Sequence, residues 1–105
     1  MTDYTQMIKD TVEKNKVAVF MKGTPEMPQC GFSARVAAIL EDMDVKFASV
    51  NIFDDHPQIL SQLREIYGWP TSPQVFVDGE LIGGCDITME MYENGELQEK
   101  LGVKS

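Results

Sequence analysis

The sequence predicts an α/β protein with a small four-stranded mixed sheet flanked by helices. Stretches with apolar residues at helical spacing alternate along the chain with short apolar runs that are typical of buried strands. One strand–helix–strand crossover predicts a parallel strand pair, and an Asp-Gly pair between two apolar runs predicts an antiparallel hairpin. The length suits one compact domain, which we expect to span residues 1–105.

The first two thirds of the chain alternate between helix and strand. Apolar residues one turn apart predict a helix over residues 4–14, and the apolar run Val17–Met21 predicts a buried strand. After a loop that contains two prolines, a second helix is expected from Gly31 to Met43. The segment Lys46–Ile52 then predicts a second strand, and residues 56–67 predict a third helix.

The last third begins with the hairpin. Its strands, Gln74–Val77 and Glu80–Ile82, are joined by Asp-Gly, which suits a two-residue turn because both turn positions need φ above zero. A final helix follows, for which Asp86 is the expected N-cap and which Gly95 interrupts near its end. The expected order is therefore helix, strand, helix, strand, helix, hairpin, helix.

The charge and composition of the chain restrict its partners. The net charge is −8, so we expect no nucleic acid and no membrane surface as partners. No apolar run is long enough to span a bilayer, and the first residues lack the regions of a secretory signal. Two cysteines are too few for a secreted disulfide scaffold. We therefore expect a cytoplasmic protein, or one of an organelle matrix if a transit peptide was removed.

The segment Cys30-Gly31-Phe32-Ser33 carries the strongest chemical signal. It matches the Cys-x-x-Cys redox pattern with serine in place of the second cysteine. Cys30 precedes a predicted helix, whose N-terminal N–H groups stabilise a thiolate. Such a thiolate attacks disulfides, but without a resolving thiol in the motif its partner must be external. Ser33 either caps the first turn or donates its hydroxyl to the sulfur, and both alternatives stay open.

Two further regions offer polar groups to a ligand of this thiol. Lys22 ends the first strand, where α/β sheets open towards their ligands, and its cation favours both a thiolate and a bound carboxylate. If the bond before Pro73 is cis, the backbone of Ser72 turns outwards and can pair with an extended peptide. The neighbouring Trp69 is interpreted as a packing residue.

The start of the last helix completes the candidates. Gly84 allows close backbone approach, and the N–H groups of the helix can hold a carboxylate. Asp86 caps the helix or accepts a hydrogen bond from a ligand α-amino group. Cys85 is open to three interpretations: packing, a backbone contact, or a slow partner for Cys30.

Four motifs resemble those of the monothiol, CGFS-type glutaredoxins, and together they cover nearly the whole chain in order. They are Met21-Lys22-Gly23-Thr24-Pro25, Pro28-x-Cys30-Gly31-Phe32-Ser33, Trp69-Pro70-Thr71-x-Pro73-Gln74 and Gly83-Gly84-Cys85-Asp86-Ile87. The resemblance implies a thioredoxin-like fold, a cis peptide bond before Pro73 and a groove that binds glutathione.

The resemblance also implies which residues hold glutathione. Lys22 is expected near the glycyl carboxylate, with Thr71 and Ser72 beside the cysteinyl backbone, Cys85 and Asp86 at the γ-glutamyl end, and Pro73 and Gly84 also in contact. Two positions depart from the family pattern. Leu60 stands where many members carry a basic residue, which leaves Arg64 as the second cation for the glycyl carboxylate. Ser72 stands where a bulky apolar residue is usual.

The family is known for a [2Fe–2S] cluster, which normally takes four thiolates. One chain offers only Cys30 in a suitable site, so we expect a homodimer in which each Cys30 is a metal ligand and two glutathione molecules supply the other thiolates. The leading hypothesis is mainly a carrier, with at most weak glutathione-dependent oxidoreductase activity, that delivers the cluster to iron–sulfur apoproteins. The alternatives are a glutathione-dependent oxidoreductase that removes glutathione from protein mixed disulfides, and a regulatory module that docks a partner of the BolA type.

Overall fold

The computed structural model describes residues 3–54, 56–69 and 71–102, with the backbone alone at residues 56 and 57. Helices and strands alternate in these ranges as the sequence predicts. They are α1 (Thr5–Lys14), β1 (Val17–Met21), α2 (Gly31–Asp42), β2 (Ala48–Asn51), α3 (His56–Tyr67), β3 (Gln74–Val77), β4 (Glu80–Gly83), α4 (Cys85–Asn94) and α5 (Glu96–Leu101). In the described ranges, no helix is both long and apolar enough to cross a membrane.

The four strands form one mixed sheet in the order β2-β1-β3-β4. β1 runs parallel to β2 through the crossover that contains α2, and β3 runs antiparallel to both β1 and β4. At the hairpin turn, Asp78 and Gly79 have φ of 52° and 81°, the positive values that a two-residue turn requires. The predicted mixed sheet and hairpin are confirmed.

Helices cover both faces of the sheet, because β1 is apolar at every position. Val19 and Met21 face a core shared with α2, α4 and α5, whereas Ala18 and Phe20 face a second core shared with α1 and α3. In the second core, the rings of Phe20 and Phe76 meet edge to face with centroids 5.6 Å apart. All five residues of β1 are buried, as a strand covered on both faces should be.

The second strand is shorter than the sequence predicts. β2 pairs with β1 from Ala48 to Asn51, and residues 52–54 form a 3₁₀ turn in place of further strand. The side chain of Asn51 explains this end, because its Oδ1 accepts the N–H of Phe53 at 2.9 Å and that of Gly23 at 3.0 Å. The first bond turns the chain back locally, and the second ties the turn to the segment after β1.

The prediction that Asp86 caps the last helix is wrong. Gly84 is the N-cap, and α4 begins at Cys85, so Asp86 lies in the first turn. Gly84 takes extended backbone angles, and its carbonyl oxygen accepts the N–H of Thr88 at 3.1 Å, which starts the helix two residues earlier than predicted. Gly95, at φ of 87°, separates α4 from α5, which confirms the predicted interruption.

Candidate functional site

The predicted motifs meet at one edge of the sheet. β1 ends and β3 begins at this edge, because Phe20 pairs with Gln74. β4 ends there as well, because Gly83 pairs with Val75. The segments that follow β1, precede β3 and follow β4 therefore leave the sheet side by side, although they are distant in sequence.

Cys30 is the N-cap of α2 and is partly exposed. The pKa of its thiol is lowered chiefly by the backbone N–H of Ser33, and further by the N–H of Phe32, the charge of Lys22 and the hydroxyl of Ser33. Partial burial opposes these effects without reversing them. The helix N-terminus thus stabilises a thiolate, as the sequence predicts.

Ser33 performs a structural task besides facing the sulfur. Its side chain is fully buried, and its Oγ accepts the backbone N–H of Lys22 at 3.1 Å. The hydroxyl also contributes to the lowered pKa of Cys30. Ser33 therefore joins the backbone that follows β1, at Lys22, to the first turn of α2.

The loop between Lys22 and Cys30 is closed on itself. The N–H of Gln29 donates to the carbonyl of Lys22 at 2.9 Å, and the backbones of Thr24 and Met27 exchange hydrogen bonds of 3.1 and 3.2 Å. Gly23 has a φ of 89°, and a Cβ there would lie 2.5 Å from the carbonyl oxygen of Met27. The loop needs glycine at this position, and its closure fixes where Cys30 enters α2.

A groove of about 700 Å³ opens beside the thiol. The structure brings all nine predicted site residues to its walls: Lys22, Cys30, Arg64, Thr71, Ser72, Pro73, Gly84, Cys85 and Asp86. Two of them are cations in a chain with a net charge of −8, so this part of the surface favours a carboxylate.

Four more residues line the groove: Phe32, Leu60, Trp69 and Ile87. The sequence predicts packing for Trp69 and no site role for Phe32 or Ile87. Phe32 is 61% exposed, which is unusual for a phenylalanine next to a reactive group. The position of Phe32 inside the CGFS motif is the sequence signal for its place in the groove, whereas Leu60 stands out only as a departure from the family pattern.

The segment before β3 is held by a buried glutamine. Gln74 is fully buried, and its Nε2 donates to the carbonyl oxygens of Trp69 at 3.2 Å and Thr71 at 3.0 Å. The peptide bond between Ser72 and Pro73 is cis, as predicted. From the protein interior, Gln74 therefore holds the backbone of Trp69 and Thr71, which line the groove. The sequence did not predict this role.

The second cysteine, Cys85, is buried. Cys85 is 7% exposed, and its thiol donates to the Sδ of Met89 at 3.7 Å. Burial is the main cause that raises the pKa of its thiol, and the charge of Asp86 adds to it. Both cysteines are free. Of the three interpretations left open, packing fits this environment best.

Comparison with known proteins agrees with this geometry. Residues 17–82 match the family model for glutaredoxin. A probable monothiol glutaredoxin 2 from Rickettsia typhi is 48% identical over 96 residues, which cover 91% of this chain and 86% of the relative. Glutaredoxin 4 from Buchnera aphidicola is 51% identical over 94 residues, covering 90% and 86%. The chain is a monothiol glutaredoxin.

Solved glutaredoxin structures confirm the thioredoxin-like fold. The crystal structure of a buckwheat glutaredoxin–glutathione complex superimposes with a TM-score of 0.83 at 29% sequence identity, over 93% of this chain and 86% of that one. The resemblance read from the four motifs is therefore confirmed. In this monothiol glutaredoxin, the family's redox motif keeps one cysteine and places it beside a groove with two cations.

Proposed function

We propose that this glutaredoxin carries a [2Fe–2S] cluster between two copies of the chain and delivers it to acceptor proteins. The observation that carries the proposal is that one partly exposed thiol per chain stands beside a groove lined by two cations. The cluster is the cargo, and the protein supplies part of its ligand set.

The groove suits glutathione. Lys22 and Arg64 can attract its glycyl carboxylate, and backbone groups at Thr71 and Ser72 can pair with its cysteinyl residue. Gly84 and the first turn of α4 offer N–H groups to its γ-glutamyl carboxylate. Support also comes from the buckwheat relative, whose structure was solved as a glutathione complex.

The number of thiolates that the cluster needs is the argument for a dimer. A [2Fe–2S] cluster normally takes four thiolates, and Cys85 is too deeply buried to serve. In the part of the chain that the structure describes, no three His, Cys, Asp or Glu side chains gather as a metal site. Two chains supply two Cys30 thiolates, and two glutathione molecules supply the remainder. Ligands held without covalent attachment make such a cluster easy to release.

The surface around Cys30 supports association through this face. Met27, Phe32 and Ile87 are 69%, 61% and 36% exposed, and they belong to the segments that frame the thiol. Exposed apolar side chains beside a reactive group indicate an interaction surface. The proposed acceptors are iron–sulfur apoproteins, and a BolA-type protein is a further proposed partner. The proposed location is a compartment that contains reduced glutathione.

Anaerobic reconstitution tests the proposal. The protein is incubated with iron, sulfide and glutathione, and its visible spectrum and molecular mass are recorded. We expect a chromophore that requires glutathione and elutes with a dimer, is lost in Cys30→Ser, and is kept in the matched variant Cys85→Ser. A chromophore that forms without glutathione, or that survives Cys30→Ser, would overturn the proposal.

The lowered pKa of Cys30 favours a second function, removal of glutathione from protein mixed disulfides. The Cys30 thiolate attacks the glutathionyl sulfur, and the substrate protein leaves as a thiolate. A second glutathione thiolate then attacks the mixed disulfide, which releases glutathione disulfide and restores Cys30. Glutathione-disulfide reductase coupled to this reaction measures the turnover. Brisk turnover with no cluster formation would select this function over the carrier.

A further inference from the structure

Two polar side-chain atoms in the wall of the groove have no hydrogen-bond partner among the described residues. They are the indole Nε1 of Trp69 and the Oγ of Ser72, and both are shielded from solvent. Each residue as a whole is only partly buried and lines the groove. Buried polar groups in folded proteins are nearly always paired, so each unpaired one needs an explanation.

The indole of Trp69 lies at the α4 end of the groove. Its Nε1 is 3.6 Å from the point that a Cβ on Gly84 would occupy, and the carbonyl oxygen of Pro73 is 3.2 Å from the same point. The indole nitrogen therefore lies close to the backbone that begins α4. That backbone is the end of the groove proposed above for the γ-glutamyl residue.

We propose that Trp69 and Ser72 are specificity-determining residues, whose N–H and hydroxyl groups pair with oxygen atoms of the bound peptide thiol. The indole N–H donates to an oxygen of the γ-glutamyl residue, and the Ser72 hydroxyl donates to a carbonyl of the cysteinyl residue. This inference rests on the proposed glutathione site. Both atoms are shielded in the ligand-free protein, so the proposal requires the two side chains to turn towards the ligand when it binds.

The unpaired state has a consequence in the ligand-free protein. A buried polar group without a partner lowers stability, so removing it should leave the fold as stable or more stable. A ligand that supplies the partner recovers the lost hydrogen bond. The two residues are therefore expected to weaken the free protein slightly and to strengthen ligand binding, a combination that a purely structural role does not produce.

The first test compares Ser72→Ala with Thr88→Val. Thr88 also carries a buried hydroxyl without a partner, but it lies outside the groove. We expect neither variant to lower the melting temperature. Glutathione binding, measured by NMR titration under reducing conditions, should weaken by about 2- to 10-fold in Ser72→Ala and stay unchanged in Thr88→Val. Equal affinities in wild type and Ser72→Ala would overturn the role of Ser72.

The second test observes the indole directly. The chain has one tryptophan, so its Nε1–H gives a single cross-peak in a ¹⁵N-correlated spectrum. We expect this peak to move downfield when glutathione binds, and Trp69→Phe to weaken binding by about 3- to 30-fold. An unmoved peak in a glutathione-saturated sample would overturn the role of Trp69.

Truncated ligands locate the contact and separate this inference from the proposed function. The loss in Trp69→Phe should persist with γ-glutamylcysteine and disappear with cysteinylglycine, which lacks the γ-glutamyl residue. A loss that persists with cysteinylglycine would overturn the assignment of the indole to that end. If wild type binds no glutathione, the proposed function fails; if it binds and both groove variants match it, only this inference fails.

Discussion

Replacing Ser33 by alanine tests what this residue contributes to the fold and to the thiol. The buried hydroxyl accepts the N–H of Lys22 at 3.1 Å, and alanine leaves that N–H without its partner. An unpaired donor costs about 1–3 kcal/mol, and this N–H is only partly buried. We therefore expect the free energy of unfolding to fall by about 1–2 kcal/mol.

The thiol should respond much less than the fold. The main cause of the lowered pKa of Cys30 is the backbone N–H of residue 33, which alanine retains. The hydroxyl is the smallest of the contributing causes. We therefore expect the pKa of Cys30 in Ser33→Ala to rise slightly and to stay below the usual value of a cysteine.

Urea denaturation and the pH profile of alkylation measure these two effects. The control is Ser61→Ala on α3, where the serine is exposed and the change should stay within about 0.5 kcal/mol. Iodoacetamide labelling of Cys30 across pH then reports its pKa. Unchanged stability in Ser33→Ala, together with labelling that shifts to the pH of an ordinary thiol, would refute the reasoning.

Three further predictions concern the same region. At neutral pH, iodoacetamide should label Cys30 and spare Cys85 in the folded protein, because N–H groups lower the pKa of the first thiol and burial raises that of the second; equal labelling of the two tryptic peptides would contradict this. The pKa of Cys30 is lower in the folded protein than in the unfolded chain. Wild type should therefore gain stability relative to Cys30→Ser as the pH rises from the folded to the unfolded pKa. A difference between the urea midpoints of the two proteins that stays constant over this pH range would contradict the prediction. Gly23→Ala should lower the free energy of unfolding by about 2–4 kcal/mol, and Gly68→Ala by about 1 kcal/mol. Both glycines have positive φ, but only a Cβ at residue 23 would meet backbone, at 2.5 Å from the carbonyl oxygen of Met27. Similar losses for the two variants in urea titrations would exclude the clash.

Much of the fold follows from the sequence, where a local rule decides the element. The apolar run Val17–Met21 and the Asp-Gly turn fixed β1 and the hairpin, because burial on two faces and positive φ leave few alternatives. The end of β2 depends instead on the register with β1 and on the side chain of Asn51. Those are tertiary contacts, so the spacing of apolar residues could not predict them.

In the site, too, local motifs predict some features, whereas others depend on tertiary contacts. The motifs and their resemblance to a family named nine of the thirteen residues that line the groove. The same reasoning missed the groove role of Trp69, because its position depends on a segment that Gln74 anchors from the core. It placed the helix cap at Asp86, because an acidic residue after two glycines resembles a cap, whereas the backbone of Gly84 starts the helix earlier.

The central claim is that one thiolate per chain and one glutathione per chain share a cluster. Native mass spectrometry of the reconstituted protein tests it most directly, because it counts every component of the complex at once. We predict a species with two chains, two glutathione molecules, two iron atoms and two sulfides, which is absent from Cys30→Ser. A cluster held by a single chain, or by two chains without glutathione, would contradict the account.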